Sequence, residues 1–168
     1  MTDAQERHDL LASLNTHRHF LISATEGLTD DQARRRTTVS ALTIGGLIKH
    51  VAGTEQKWAQ FVVEGPGAFE LDFNDPAVAA AWQGQFVLGP DETLQGALAH
   101  YRQVAEATNR LVETVDLDSS WPLPEAPWFT PGNRTARRTF LHIVGETAQH
   151  AGHADIIRES LDGKLSMG

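Results

Sequence analysis

His142-Ile143-Val144-Gly145-Glu146-Thr147-Ala148-Gln149-His150-Ala151-Gly152-His153 reads as the inward side of a long helix. At 100° per residue, His142, Glu146, His150 and His153 fall within an arc of about 80°. Ile143 and Ile157 share that arc, so it is the face expected to look into a core. The helical pattern runs from about residue 134 to 161 and stops at Asp162-Gly163.

Three further long segments keep the same period. The first, about residues 2 to 26, carries Leu10, Leu14, His17 and Leu21 on one stripe and ends at Gly27. Leu28-Thr29-Asp30-Asp31 then offers an N-cap for a short helical piece. The second long segment, residues 43 to 64, lines up Leu47, His50, Val51, Thr54, Trp58 and Phe61, and Gly65-Pro66-Gly67 stops it. Gly45 and Gly46 in its first turn weaken the helix but let another backbone come close. The third, residues 94 to 116, repeats Leu94, Leu98, Tyr101, Ala105, Thr108, Leu111 and Val115.

The connections are irregular by composition. Residues 65–89 are rich in Gly, Pro and aromatics, with Asp75-Pro76 predicting a short helix to about Trp82. Residues 118–133 hold Pro122, Pro124, Pro127 and Pro131 with Trp121 and Trp128, which predicts a loop without regular structure. A loop of that length in a compact domain is usually functional. With no strand-period run between the long segments, the expected fold is an all-α four-helix bundle, a single domain over residues 1–168. It has one short extra helix and a long Pro/Trp-rich loop before the last helix.

Composition narrows the function. A net charge of −8 argues against a general nucleic-acid binder, which needs a basic face to displace counterions. Arg34-Arg35-Arg36 is the local exception and reads as a solvated surface turn. The absence of cysteine excludes disulfides, thiolate metal sites and a cysteine nucleophile. Residues 1–10 lack an apolar signal core and no apolar run approaches a bilayer span, so the expectation is a cytoplasmic protein without membrane contact.

A buried carboxylate costs several kcal/mol unless it is paired or neutralised. Glu146 and His150, one turn apart, admit two readings: a buried hydrogen-bonded pair, or two ligands of one cation. His50 on the inward stripe of the second long helix favours the cation, because bundles assemble metal sites from inward carboxylates and imidazoles. Two nitrogens and one carboxylate oxygen leave a coordination position open, as catalytic sites do. Such ligands suit zinc and also accept nickel or iron. His153 is either an alternative ligand or an orienting neighbour, and His142 stands in reserve a turn before Glu146.

The strings Ile44-Gly45-Gly46-Leu47-Ile48-Lys49-His50-Val51-Ala52-Gly53-Thr54-Glu55, with Trp58, and Glu146 through Glu159 resemble the DinB-like superfamily. They are most similar to its branch containing mycothiol-dependent maleylpyruvate isomerase, and the likeness spans nearly the whole chain. The resemblance implies His50, Glu146 and His150 as metal ligands, with Glu146 where many superfamily members carry histidine. It also implies transfer or isomerisation assisted by a low-molecular-weight thiol, which fits a chain with no thiol of its own. The expected partners are a small-molecule substrate and that thiol, with a homodimer as a candidate assembly. Trp128, Arg102, Arg137 and Arg138 are candidates for holding substrate or thiol. A metal-assisted hydrolase and a non-catalytic metal- or ligand-binding stress-response protein are the competing readings of the same bundle.

Overall fold

The computed structural model describes residues 3–70, 72, 74–125 and 129–165. Among them four long helices form an all-α bundle: α1 (Asp3–Ser23), α3 (Ile44–Glu64), α5 (Leu94–Thr114) and α6 (Ala136–Asp162). Two short helices, α2 (Asp30–Ala33) and α4 (Pro76–Gln83), lie in the connections, and a 3-10 turn (Gly65–Phe69) follows α3. Each long helix packs on two others in a closed ring, α1 on α6, α6 on α3, α3 on α5 and α5 on α1. α1 and α3 therefore face one another across a diagonal, whereas α3 and α6 share an edge. No helix among the described residues is long and apolar enough to cross a membrane.

The helix starts follow from capping. Thr43, Thr93 and Thr135 each accept a hydrogen bond from a backbone N–H of the first turn, at Gly46, Gly96 and Arg138. Thr29 and Gln32 form a reciprocal capping box that opens α2, where the sequence places a cap. Gly163 at φ 78° closes α6.

Two apolar clusters fill the ends of the bundle. One gathers Leu21, Ile44, Leu47, Val51, Ala154 and Ile157, and the other gathers Leu14, Trp58, Phe61, Val112, Phe140 and Ile143. The buried stripe of α1 is Leu10, Leu14, Arg18 and Leu21 rather than the expected line through His17. Arg18 is only 4% exposed, because its guanidinium forks onto Glu55 of α3, itself fully buried. Its remaining arm reaches Asn15 and Asn109. Tyr101, also fully buried, turns its hydroxyl toward Thr147 and Arg18 without a well-formed hydrogen bond.

The Pro-rich stretch differs from expectation. Strands β1 (Ser120–Pro122) and β2 (Asn133–Thr135) pair antiparallel, with Trp121 opposite Arg134. Proline is tolerated there because β1 is a short edge, with Pro122 at its last position. Arg134 accordingly belongs to β2, and α6 starts two residues later than the periodicity suggests. Trp121 packs against Gly65, where a Cβ would lie 2.8 Å from the indole, and donates its Nε1–H to Val62 O at 3.1 Å.

The glycine pair at the start of α3 admits the segment before α5. A Cβ on Gly46 would stand 1.9 Å from the Phe86 carbonyl oxygen, and one on Gly45 would meet the Leu88 side chain at 2.8 Å. Lys49 fastens the same segment through Val87 O and Glu92. That close approach lays Phe86 over His50.

Candidate metal centre

Helices α3 and α6 bring His50, Glu146 and His150 together at their shared edge, one ligand-type atom from each lying within 4.8 Å of the other two. His50 stands on α3 one turn after Gly46, stacked on Phe86 with ring centroids 3.8 Å apart. The His50 and His150 rings meet edge to face at 4.9 Å. Glu146 Oε2 is 3.7 Å from His150 Nε2, and Oε1 is 3.9 Å from His142 Nε2. Both separations exceed hydrogen-bond length, so Glu146 and His150 do not form the buried hydrogen-bonded pair that the sequence left open.

The electrostatics are those of an incomplete cluster. Burial holds His150 down at about 4, with His50 and His153 adding to the effect. Burial also lowers His50, partly offset by the Gln85 side chain. The Glu146 carboxyl is raised, and burial is the cause. Among the described residues its oxygens accept no hydrogen bond, and the buried Nδ1 of His50 has no well-formed partner. A cation would neutralise the carboxylate and take lone pairs from imidazoles that are already neutral, so the donor set fits a divalent metal.

His153 sits beside this group. Its Nδ1 is 3.3 Å from Nδ1 of His150, on the side of that ring away from Glu146. A proton on His150 Nδ1 donated to His153 leaves the His150 Nε2 lone pair free toward Glu146, the usual way a neighbouring group orients a metal-binding imidazole. His142 lies a turn before Glu146, edge-on to Trp58 at 4.7 Å. Burial, then Arg134 and Arg138, hold it at about 4.

The other sequence candidates fall in different places. Arg137 is committed to Glu6 and Asp118 and fastens the start of α6 to α1. Arg138 and Arg102 are exposed on α6 and α5. Trp128 lies outside the described residues. The loop bearing it lines a cleft of about 400 Å³ with Pro122, Leu123, Phe129 and Pro131, but no residue of the His/Glu/His group lines that cleft. The two are joined through Trp58, whose ring contacts Phe129 at 5.8 Å and His142 at 4.7 Å.

Sequence reasoning missed Phe86, Gln85 and Arg134. Phe86 and Gln85 lie in an irregular connection with no periodic signal, although the Gly45-Gly46 pair announced that some backbone would pack there.

The profile of the mycothiol-S-transferase family matches residues 9–163, nearly the whole chain. No curated protein matches it significantly.

Proposed function

The chain belongs to the mycothiol-S-transferase family, and we propose that within it this protein is a metal-dependent transferase that joins the sulfur of a low-molecular-weight thiol to an electrophile. The observation that carries the reading is the convergence of His50, Glu146 and His150 on the α3/α6 edge, with the buried Nδ1 of His50 unpartnered. These three residues would hold the metal, zinc being the best match to two imidazoles and a carboxylate. When bound, the cation lowers the pKa of a thiol at its open position, raising the thiolate fraction at neutral pH.

The protein's own groups prepare that chemistry. His50 and His150 are neutral at physiological pH because burial opposes their protonation, so no proton has to leave before they bind a metal. Glu146 contributes the negative charge, and its half-buried position keeps that charge poorly solvated until a cation meets it. His153 fixes the His150 ring. Phe86 covers one face of His50, and Trp58 packs against His142 beside the site. The chain has no cysteine, so the attacking sulfur is the cosubstrate's. In the transfer the sulfur forms a bond to the electrophilic carbon, the leaving group departs with its electron pair, and the thiol proton passes to solvent. Isomerisation would instead begin with addition of the sulfur across an activated double bond, followed by rotation about the resulting single bond and loss of the thiol.

The test is a conjugation assay with mycothiol and monochlorobimane, which yields a fluorescent thioether and chloride. Product should form only with added thiol and stop on chelation. Hydrolysis of an ester substrate in a thiol-free assay would instead support metal hydroxide and overturn the transferase reading.

A further inference from the structure

Arg134 is out of keeping with the other arginines. Arg7, Arg18, Arg34, Arg137 and Arg158, the others that are not exposed, each lie against a carboxylate. Arg134 has no ion pair among the described residues, and its Nη1 is buried without a hydrogen-bond partner. The charge that acts on it is that of Arg138, of the same sign. Its guanidinium lies over the Trp58 ring at 4.5 Å and reaches the Phe129 ring at 5.8 Å. Strand pairing with Trp121 holds its backbone. A guanidinium whose face is covered by indole keeps its edge for a planar, bidentate acceptor, which is carboxylate geometry.

Its position relative to the metal centre is the second observation. Trp58, under Arg134, touches His142, and His142 is 3.9 Å from Glu146. One indole and one imidazole therefore separate the unpaired cation from the His50/Glu146/His150 group along the α3/α6 edge. A small molecule lying along this edge, over His142 rather than over the buried Trp58, would have one end at the metal centre and the other at Arg134.

We propose that Arg134 is the anchor for a carboxylate on the electrophile, so that acidic electrophiles are the substrate class of this site. The proposal rests on the transferase reading for the role of the ligand, but not for its binding. Arg134 is a positioning residue, since it holds the end of the substrate remote from the reacting carbon.

The probe is 4-iodobenzoate, with 4-iodobenzamide as its neutral isostere, titrated calorimetrically into the full-length protein without thiol. The acid should bind about tenfold or more tighter than the amide, the worth of a charge-assisted bidentate contact. Arg134→Gln should erase that preference, Arg134→Lys should keep part of it, and the exposed Arg110→Gln should leave it intact. Crystals of the wild-type protein soaked with the acid need no variant: the iodine signal should place the carboxylate on the Arg134 guanidinium edge. Equal affinity for acid and amide, an unchanged preference in a folded Arg134→Gln protein, or a carboxylate seated on His50 and His150 instead would each overturn the proposal. Because no thiol or turnover enters these measurements, failure of the conjugation assay does not alter what they show. With transfer established, Arg134→Gln should raise KM for an acidic electrophile about tenfold while leaving KM for its methyl ester unchanged.

Discussion

Helix α3 contributes to two polar groups within this bundle, and they are finished to different degrees. On the diagonal, Arg18 and Glu55 meet in a two-pronged ion pair at 2.5 and 3.2 Å, and asparagines from α1 and α5 take the remaining guanidinium arm. On the α3/α6 edge, five residues before Glu55 in sequence, His50 joins Glu146 and His150 in a group whose carboxylate is met only by imidazoles at 3.7 and 3.9 Å and whose His50 Nδ1 has no hydrogen-bond partner. The same helix supplies both. Burial of charge alone does not mark a functional site, since the more deeply buried pair is the structural one. What separates them is satisfaction: the diagonal group has its counter-charge in the chain, and the edge group has no lysine or arginine ion pair on its carboxylate among the described residues.

The largest effect should come from breaking the finished group. Arg18→Met strands Glu55 in the core and should cost about 3–5 kcal/mol in chemical denaturation, the usual penalty for removing one partner of a buried pair. Adding Glu55→Met should recover most of that loss. A loss below about 1 kcal/mol in the single variant, the range of an exposed ion pair, would mean that the diagonal pair is not structural. Glu146→Gln should by contrast leave folding of the metal-free protein intact, or strengthen it slightly, while removing the metal.

Gly46→Ala comes next, because it strikes the edge group through Phe86, which is stacked on His50. The new methyl group meets the Phe86 carbonyl, and such overpacking should destabilise by about 1–3 kcal/mol. Displacing Phe86 from His50 should also weaken metal affinity, read by competition with a chelating dye. His153→Ala should reduce metal affinity by about 10–100-fold, the range for loss of an orienting partner, without moving the denaturation midpoint of the metal-free protein. Complete loss of metal would make His153 a ligand.

The smallest effect is pH dependence of the metal-free fold. His142 and His150 titrate at about 4 when folded, against an ordinary 6.5. Between those values the unfolded chain binds more protons, so stability should fall as pH drops from 6.5 toward 4. Glu146 acts with the opposite sign. Its folded pKa is raised above 4.5, so its contribution is present at low pH and lost as pH rises through that folded value. His142→Gln/His150→Gln should flatten the acid limb, and an unchanged limb would place the responsible groups elsewhere.

The bundle and the edge group were legible because their signals are local. Glu146, His150 and His153 share a helix face by spacing, Thr29 announces a cap, and Gly45-Gly46 announces a close approach. The diagonal pair was not legible, since Arg18 and Glu55 are 37 residues apart and a stripe read for apolarity runs through His17 instead. The β1–β2 hairpin was hidden by prolines that exclude helix but tolerate a three-residue edge. Arg134 carries no motif at all; only the fold shows that it lies on Trp58 and has no carboxylate partner among the described residues.

Whether one divalent cation completes the edge group can be read from anomalous diffraction above and below the zinc absorption edge, on crystals of zinc-loaded protein. A single strong site should appear, bonded at about 2.0–2.2 Å to His50, Glu146 and His150, with one position left for an exogenous ligand. A zinc site assembled without His50 or Glu146, or no peak between α3 and α6, would contradict it.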